Sequence, residues 1–257
     1  MDDIQPYLDG IFRWVHVIAG ITWIGLLYFF NWVNSAFAPT LDADSKRKVV
    51  PELLPRTLFW FRYGALWTWV SGVLLIAVTF YHGKLMWDDG ESHWGALPFV
   101  MLAITFGGVL VYDMLVKSVL ATPQAAFWGG WLLTSGLFVF YRESIPEVGY
   151  RGALIHIGAM YGTFMAFNVW MRIWPAQQKI ITAIKNGEAP DGALVKLAGG
   201  RSKHNTYMSF VLVFAMLNNH MTWAAGEGSL YVVSMCFLLA FGLCSRCYMK
   251  AAQVPGF

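Results

Sequence analysis

Four histidines lie in or at the ends of long apolar stretches of this chain: His16, His156, His204 and His220. An ionisable side chain in lipid is costly enough that each needs a partner or a task. Neutral imidazole offers two: a hydrogen bond to a carbonyl on a neighbouring helix, or ligation of a metal or haem iron. Depth separates the four. His16 stands about five residues, roughly 8 Å, in from one end of its stretch. His156 and His220 stand at similar depths on two other stretches, so three histidines on three helices are expected in one layer near the outer face. Three at one level favour a metal or haem role. His204 lies 16 positions before His220, roughly 24 Å along and about 160° around a helix. It therefore cannot share an iron with His220. It is expected at the inner surface, at the start of the sixth helix, where Ser202-Lys203-His204-Asn205 caps the helix or meets an anionic group.

The neighbours of His16 refine this reading. Gly20 is displaced by about 40° and Trp23 by about 20° from His16 around a helix, so a flat macrocycle would find room at the glycine and a wall at the indole. Haem b held by a pair among His16, His156 and His220 is the resulting expectation. Arg62, and Asp113 with Lys117 at i, i+4, are expected towards the inner side. They would form a charge network or clamp a carboxylate such as a haem propionate. The outer-loop residues His82, Asp88, Asp89, Glu91 and His93 read as a solvated acidic loop, with a divalent-cation site as the alternative. Cys244-Ser-Arg-Cys247 is followed by Tyr248, so it fails the pattern for covalent c-type haem.

These residues must be positioned by helices in lipid. Residues are 57% hydrophobic and only 13% charged, about half the charge of a soluble domain. Mean hydropathy is +0.51. A span needs ~20 mostly apolar residues, and seven stretches qualify: Ile11 to Phe37, Thr57 to Tyr81, Trp94 to Val116, Ala125 to Tyr141, Arg151 to Trp174, Asn205 to Ala225 and Leu230 to Lys250. The expected fold is a single all-α transmembrane domain over residues 1–257. The connection holding Lys46, Arg47, Lys48 and Arg56 is basic, as is Pro175 to Lys203. The positive-inside rule then puts the N-terminus outside and the C-terminus inside. Within the second basic connection, Gln177 to Lys185 reads as an amphipathic extension of the fifth helix, and Asn186-Gly187 and Asp191-Gly192 as turns. Pro51, Pro55, Pro123, Pro146 and Pro175 are expected at or between helix ends. Met1-Asp2-Asp3 is acidic where a signal peptide is basic. The basic residues mark topology, not a nucleic-acid surface.

Three stretches resemble one family. They are Trp14-Val-His16-Val-Ile-Ala-Gly20-Ile-Thr-Trp23-Ile-Gly25 with Tyr28-Phe-Phe30-Asn-Trp32, Val111-Tyr112-Asp113, and Ser202-Lys-His204-Asn205-Thr-Tyr207 through Met216-Leu-Asn-Asn219-His220. Together they are similar to the membrane domain of the bacterial membrane-bound urate oxidase (urate hydroxylase), over nearly the whole chain. The first stretch is also similar to other haem-binding and copper-handling membrane proteins; the last is the more distinctive.

The resemblance implies a multi-pass protein of the bacterial inner membrane that oxidises urate to 5-hydroxyisourate. The family joins this membrane part to a C-terminal cytochrome c domain. This sequence reaches Phe257 with no C-x-x-C-H, so the expected electron partner is a separate cytochrome c. Two other classes stay open: a non-catalytic haem-binding subunit of a respiratory or photosynthetic membrane complex, and a transporter or metal-handling protein.

Overall fold

The computed structural model describes residues 4–145, 147–226 and 228–255. Met1-Asp2-Asp3, Pro146 and Phe257 lie outside them. The architecture is all-α. Among the described residues the long helices number seven: α1 (Gln5–Thr40), α2 (Ala43–His82), α3 (Ala96–Leu115), α4 (Pro123–Ser144), α5 (Tyr150–Asn186), α6 (Gly192–Met216) and α7 (Ser229–Ala251). Five of them, α1, α2, α3, α5 and α7, are long and apolar enough to cross a membrane. α5 is the central helix, with most of its first 18 residues buried. Exposed Trp14, Trp60, Trp67, Leu110, Leu132 and Tyr231 lie on the outside of the bundle, as a lipid-facing surface requires.

Helix boundaries differ from the sequence reading in three places. The first basic connection is helical: α2 starts at Ala43, so Lys46 to Arg56 lie inside it and only Leu41 and Asp42 join α1 to α2. Asp42 caps α2 by accepting from the Ser45 N–H at 2.8 Å, and these bonds hold its carboxyl below the usual range. Pro51 and Pro55 fall within this helix. They deprive the carbonyls of Arg47 and Pro51 of their donors, which is tolerable on a polar, solvated stretch. The second basic connection is also mostly helical. α5 continues through Gln177 to Lys185 and stops at Gly187, whose φ of +78° only glycine adopts without strain. Asp191 then caps α6, so Gly199-Gly200-Arg201 lies inside that helix. At its other end α6 stops at Met216, and Asn218–His220 and Thr222–Ala225 are short 3₁₀ turns instead of the expected helix.

Four of the long helices contain a wide π turn: Phe29–Asn34, Ile76–His82, Ala103–Gly107 and Asn168–Ile173. Such turns free carbonyls and re-aim side chains, and they gather at functional positions. The last one ends two residues before Pro175, which lies inside α5 and not at a helix end as expected, and whose missing N–H would break a regular ladder. Three of the polar side chains that matter below, Asn31, Tyr81 and Asn168, sit on these turns.

α1 and α2 run antiparallel and pack closely at one crossing. A Cβ on Gly64 would lie 3.2 Å from the Trp23 backbone nitrogen and 3.3 Å from the Ala19 carbonyl oxygen. Gly20, by contrast, makes only ordinary contact with Thr68. Gly64, not Gly20, is therefore the position that demands a glycine. Gly64→Ala should cost about 1–3 kcal/mol by overpacking, read as a lower thermal midpoint in detergent. Gly25→Ala, where nothing lies within 4 Å, should leave the midpoint unchanged or raise it.

Candidate functional site

His16, His156 and His220 stand on three separate elements, α1, α5 and a 3₁₀ turn after α6. His156 is fully buried on α5, and both its ring nitrogens are engaged. Nδ1 donates to the Gly152 carbonyl at 2.7 Å, and Nε2 faces the Tyr81 hydroxyl at 2.9 Å. His16 Nδ1 is 3.1 Å from the Ser71 hydroxyl, with Gly72 making room for its ring. His220 lies beyond the end of α6, exposed in a 3₁₀ turn. No hydrogen bond joins any two of the three among the described residues. Trp23 is buried against α2.

A different polar centre is built where α3, α5 and α6 meet. Asp113 on α3 is buried, and three cations converge on it. Arg172 donates through Nε (3.1 Å) and Nη2 (2.6 Å), Arg201 through Nη2 (2.6 Å) and Lys117 through Nζ (2.7 Å). The Asp113–Lys117 pair was legible from its spacing; the two arginines were not. Arg172 lay in a predicted span and met the rule that flags ionisable residues in lipid, so that signal was present. Arg201 was hidden by its assignment to a loop. Arg62 stands apart from this network. Its guanidinium lies 3.5 Å from the centre of the Trp174 ring and donates to the Leu58 carbonyl, a cation–π site in place of the expected ion pair.

The network runs on from Arg201 to a histidine. Arg201 Nη1 reaches Asn168 Oδ1 at 3.4 Å, and Asn168 Nδ2 donates to the Tyr112 hydroxyl and to Asn205 Oδ1, at 2.9 and 2.8 Å. The Tyr112 hydroxyl lies 3.4 Å from His204 Nδ1. His204 is not at a helix end. It stands 12 residues into α6, roughly 18 Å along it, because Arg201 and the glycines before it belong to the helix.

His204 lines a large cavity inside the bundle. This cavity, about 730 Å³, lies between α3, α4, α5, α6 and α7 and has mostly apolar walls, including Phe127, Trp128, Phe164 and Phe241. Met160, Met208, Tyr161 and Lys203 also line it. Its volume suits a cofactor or small ligand, for which ~300–1,000 Å³ is usual. With Nδ1 turned to Tyr112, Nε2 is left for whatever occupies the space. A second cavity, about 610 Å³, lies across α6 and is more polar. His16, His156 and His220 line neither.

A family model described as "Urate oxidase N-terminal" matches residues 41–254. The chain belongs to this urate oxidase N-terminal family. No curated protein and no solved structure matches it. The match covers α2 to α7, and so contains the Asp113 centre, His204 and most of the lining of both cavities. In this urate oxidase-like membrane protein the acidic loop between α2 and α3 is paired: within it Lys84 bonds Glu91 and His93 bonds Asp89, and Arg142 of α4 bonds Asp88, at 2.6–2.9 Å. No cluster of three metal-ligating side chains occurs among the described residues.

Removing Asp113 should be far more damaging than removing its outermost partner. Asp113→Asn leaves Arg201, 3% exposed, without its counter-ion, and such a loss costs about 3–5 kcal/mol. Lys117 is 60% exposed, so Lys117→Ala should cost ~1 kcal/mol or less. Thermal unfolding in detergent measures both.

Proposed function

We propose that this protein is a membrane oxidoreductase that takes electrons from urate, with haem b in the His204 cavity and a separate cytochrome c as acceptor. Family membership supports the substrate. The observation that carries the site is His204, a half-buried imidazole with one nitrogen turned to Tyr112 and the other left for the 730 Å³ cavity.

The residues of this cavity fit a haem better than the outer histidines do. Ligation needs an imidazole nitrogen with a free lone pair, and both nitrogens of His156 are already engaged. At His204 the Tyr112 hydroxyl, itself fixed by Asn168, orients the ring as outer-sphere partners of metal-bound histidines do. Met160 and Met208 are thioether donors on the same walls, and the aromatic rings supply flat apolar faces. Bound there, haem would supply one-electron redox chemistry.

The net reaction is balanced with water as the oxygen source. Urate and water give 5-hydroxyisourate, two protons and two electrons, and two molecules of oxidised cytochrome c take the electrons. What the chain itself contributes is a site inside a lipid-facing bundle and a fixed positive field. Three cations surround one carboxylate at Asp113, a surplus that favours an anion nearby.

The reading predicts Soret and α-band changes between oxidised and dithionite-reduced protein prepared with sufficient haem. His204→Ala should abolish or shift these bands, and His220→Ala should leave them intact. Absence of bands, or their loss in His220→Ala and not in His204→Ala, overturns the site. Haem that urate does not reduce, with oxidised cytochrome c present, marks an electron carrier and overturns the enzyme reading.

A further inference from the structure

We infer that the second cavity is the pocket for the substrate, a flat oxo-purine anion, an inference that rests on the urate reading above. The cavity is formed by α1, α2, α5, α6 and α7 at the ends that carry the basic residues, and its volume of about 610 Å³ suits a small heterocycle.

The lining groups match such a ring. Gln177 Oε1 is buried with no hydrogen-bond partner among the described residues, and a ring N–H would satisfy it. Asn34 adds a second carboxamide. The Ser202 hydroxyl accepts from Asn31 at 2.8 Å, which leaves its own proton to donate. Asn31 is held in turn by the Tyr248 hydroxyl at 2.9 Å. Carboxamides carry donors and acceptors side by side, as does the rim of an oxo-purine, where N–H and C=O alternate. Phe30 offers an apolar ring for the flat face. A lipid phosphate is the competing occupant at the end of a membrane helix, but such headgroups are held by clusters of Lys and Arg. Lys203 is the one cation among the lining residues, enough for a single negative charge.

α6 is the partition between the two cavities. Gly199 and Ser202 line the polar one, Gly200 and His204 line the apolar one, and Lys203 lines both. Across the partition the rings of Tyr207 and Tyr248 stack with centroids 5.7 Å apart and planes at 14°. Tyr207 belongs to the wall of the first cavity and Tyr248 to that of the second. A purine in the polar pocket would thus lie one helix away from the His204 cavity.

The test is equilibrium dialysis of the whole detergent-solubilised protein against radiolabelled urate and, separately, xanthine, with no electron acceptor. Saturable binding is expected. A Cβ at Gly199 or Gly200 meets nothing within 4 Å, so leucine at either is placed to add bulk beside the cavity that residue lines. Gly199→Leu should weaken urate binding at least tenfold, and Gln177→Leu should weaken it severalfold. Gly200→Leu should keep urate affinity within twofold while losing haem absorbance. Undiminished binding in Gly199→Leu, or no binding of either purine by the parent protein, overturns the pocket, as does phospholipid co-purifying with the parent and lost only in Gly199→Leu. Binding that follows this pattern, without urate-dependent reduction of cytochrome c, leaves the pocket standing and removes the oxidase reading alone.

Discussion

A carboxylate placed among apolar helices has to be compensated, and Asp113 is compensated three times over. Arg172 holds it with two nitrogens, Arg201 reaches it from α6, and Lys117 closes from the solvent side. Breaking any buried member strands charge where solvation is poor, so the arrangement acts as a geometric constraint more than as a source of stability. It fixes the rotation of α6 against α3 and α5. With Arg201 turned to Asp113, Gly200 and His204 line one cavity, and Gly199 and Ser202 line the other.

The same constraint explains the carboxamide chain behind His204. Asn168 is fully buried and bonds Arg201, Tyr112 and Asn205 at once. A buried polar network is tolerable when its members are paired, and it then holds one conformation firmly. The π turn at Asn168–Ile173 places Asn168 and Arg172 on the same centre. Tyr81, on the π turn of α2, plays the corresponding part at the other histidine, where it occupies His156 Nε2. Buried His156 is thus closed off by its partners, while half-buried His204 is left with a nitrogen to use.

Much of the fold was legible in the chain. The apolar runs, the i, i+4 spacing of Asp113 and Lys117, the amphipathic Gln177 to Lys185 extension and the turn at Gly187 are local features, governed by hydropathy, helix geometry and the glycine backbone. The polar stretch from Lys196 to Lys203 was read as the end of a loop because hydropathy registers lysine, arginine and glycine as an exit from lipid. Its side chains are instead spent on a helix: Asp191 caps it, and Arg201 is buried against a carboxylate nearly ninety positions earlier. That boundary moved His204 from a helix end to the middle of α6, while at the other end the stop at Met216 cut His220 off from the helix expected to carry it.

The sequence alone determined that this is an all-helical, membrane-type chain with histidines in its apolar stretches, because composition and short-range spacing suffice for that; its likeness to the urate oxidase family rested on three motif stretches. Only the tertiary structure decided which histidine meets a cavity and which is already bonded. That choice depends on the rotation of one helix against its neighbours, set by ion pairs and carboxamide bonds between residues far apart in sequence, and no local pattern encodes it.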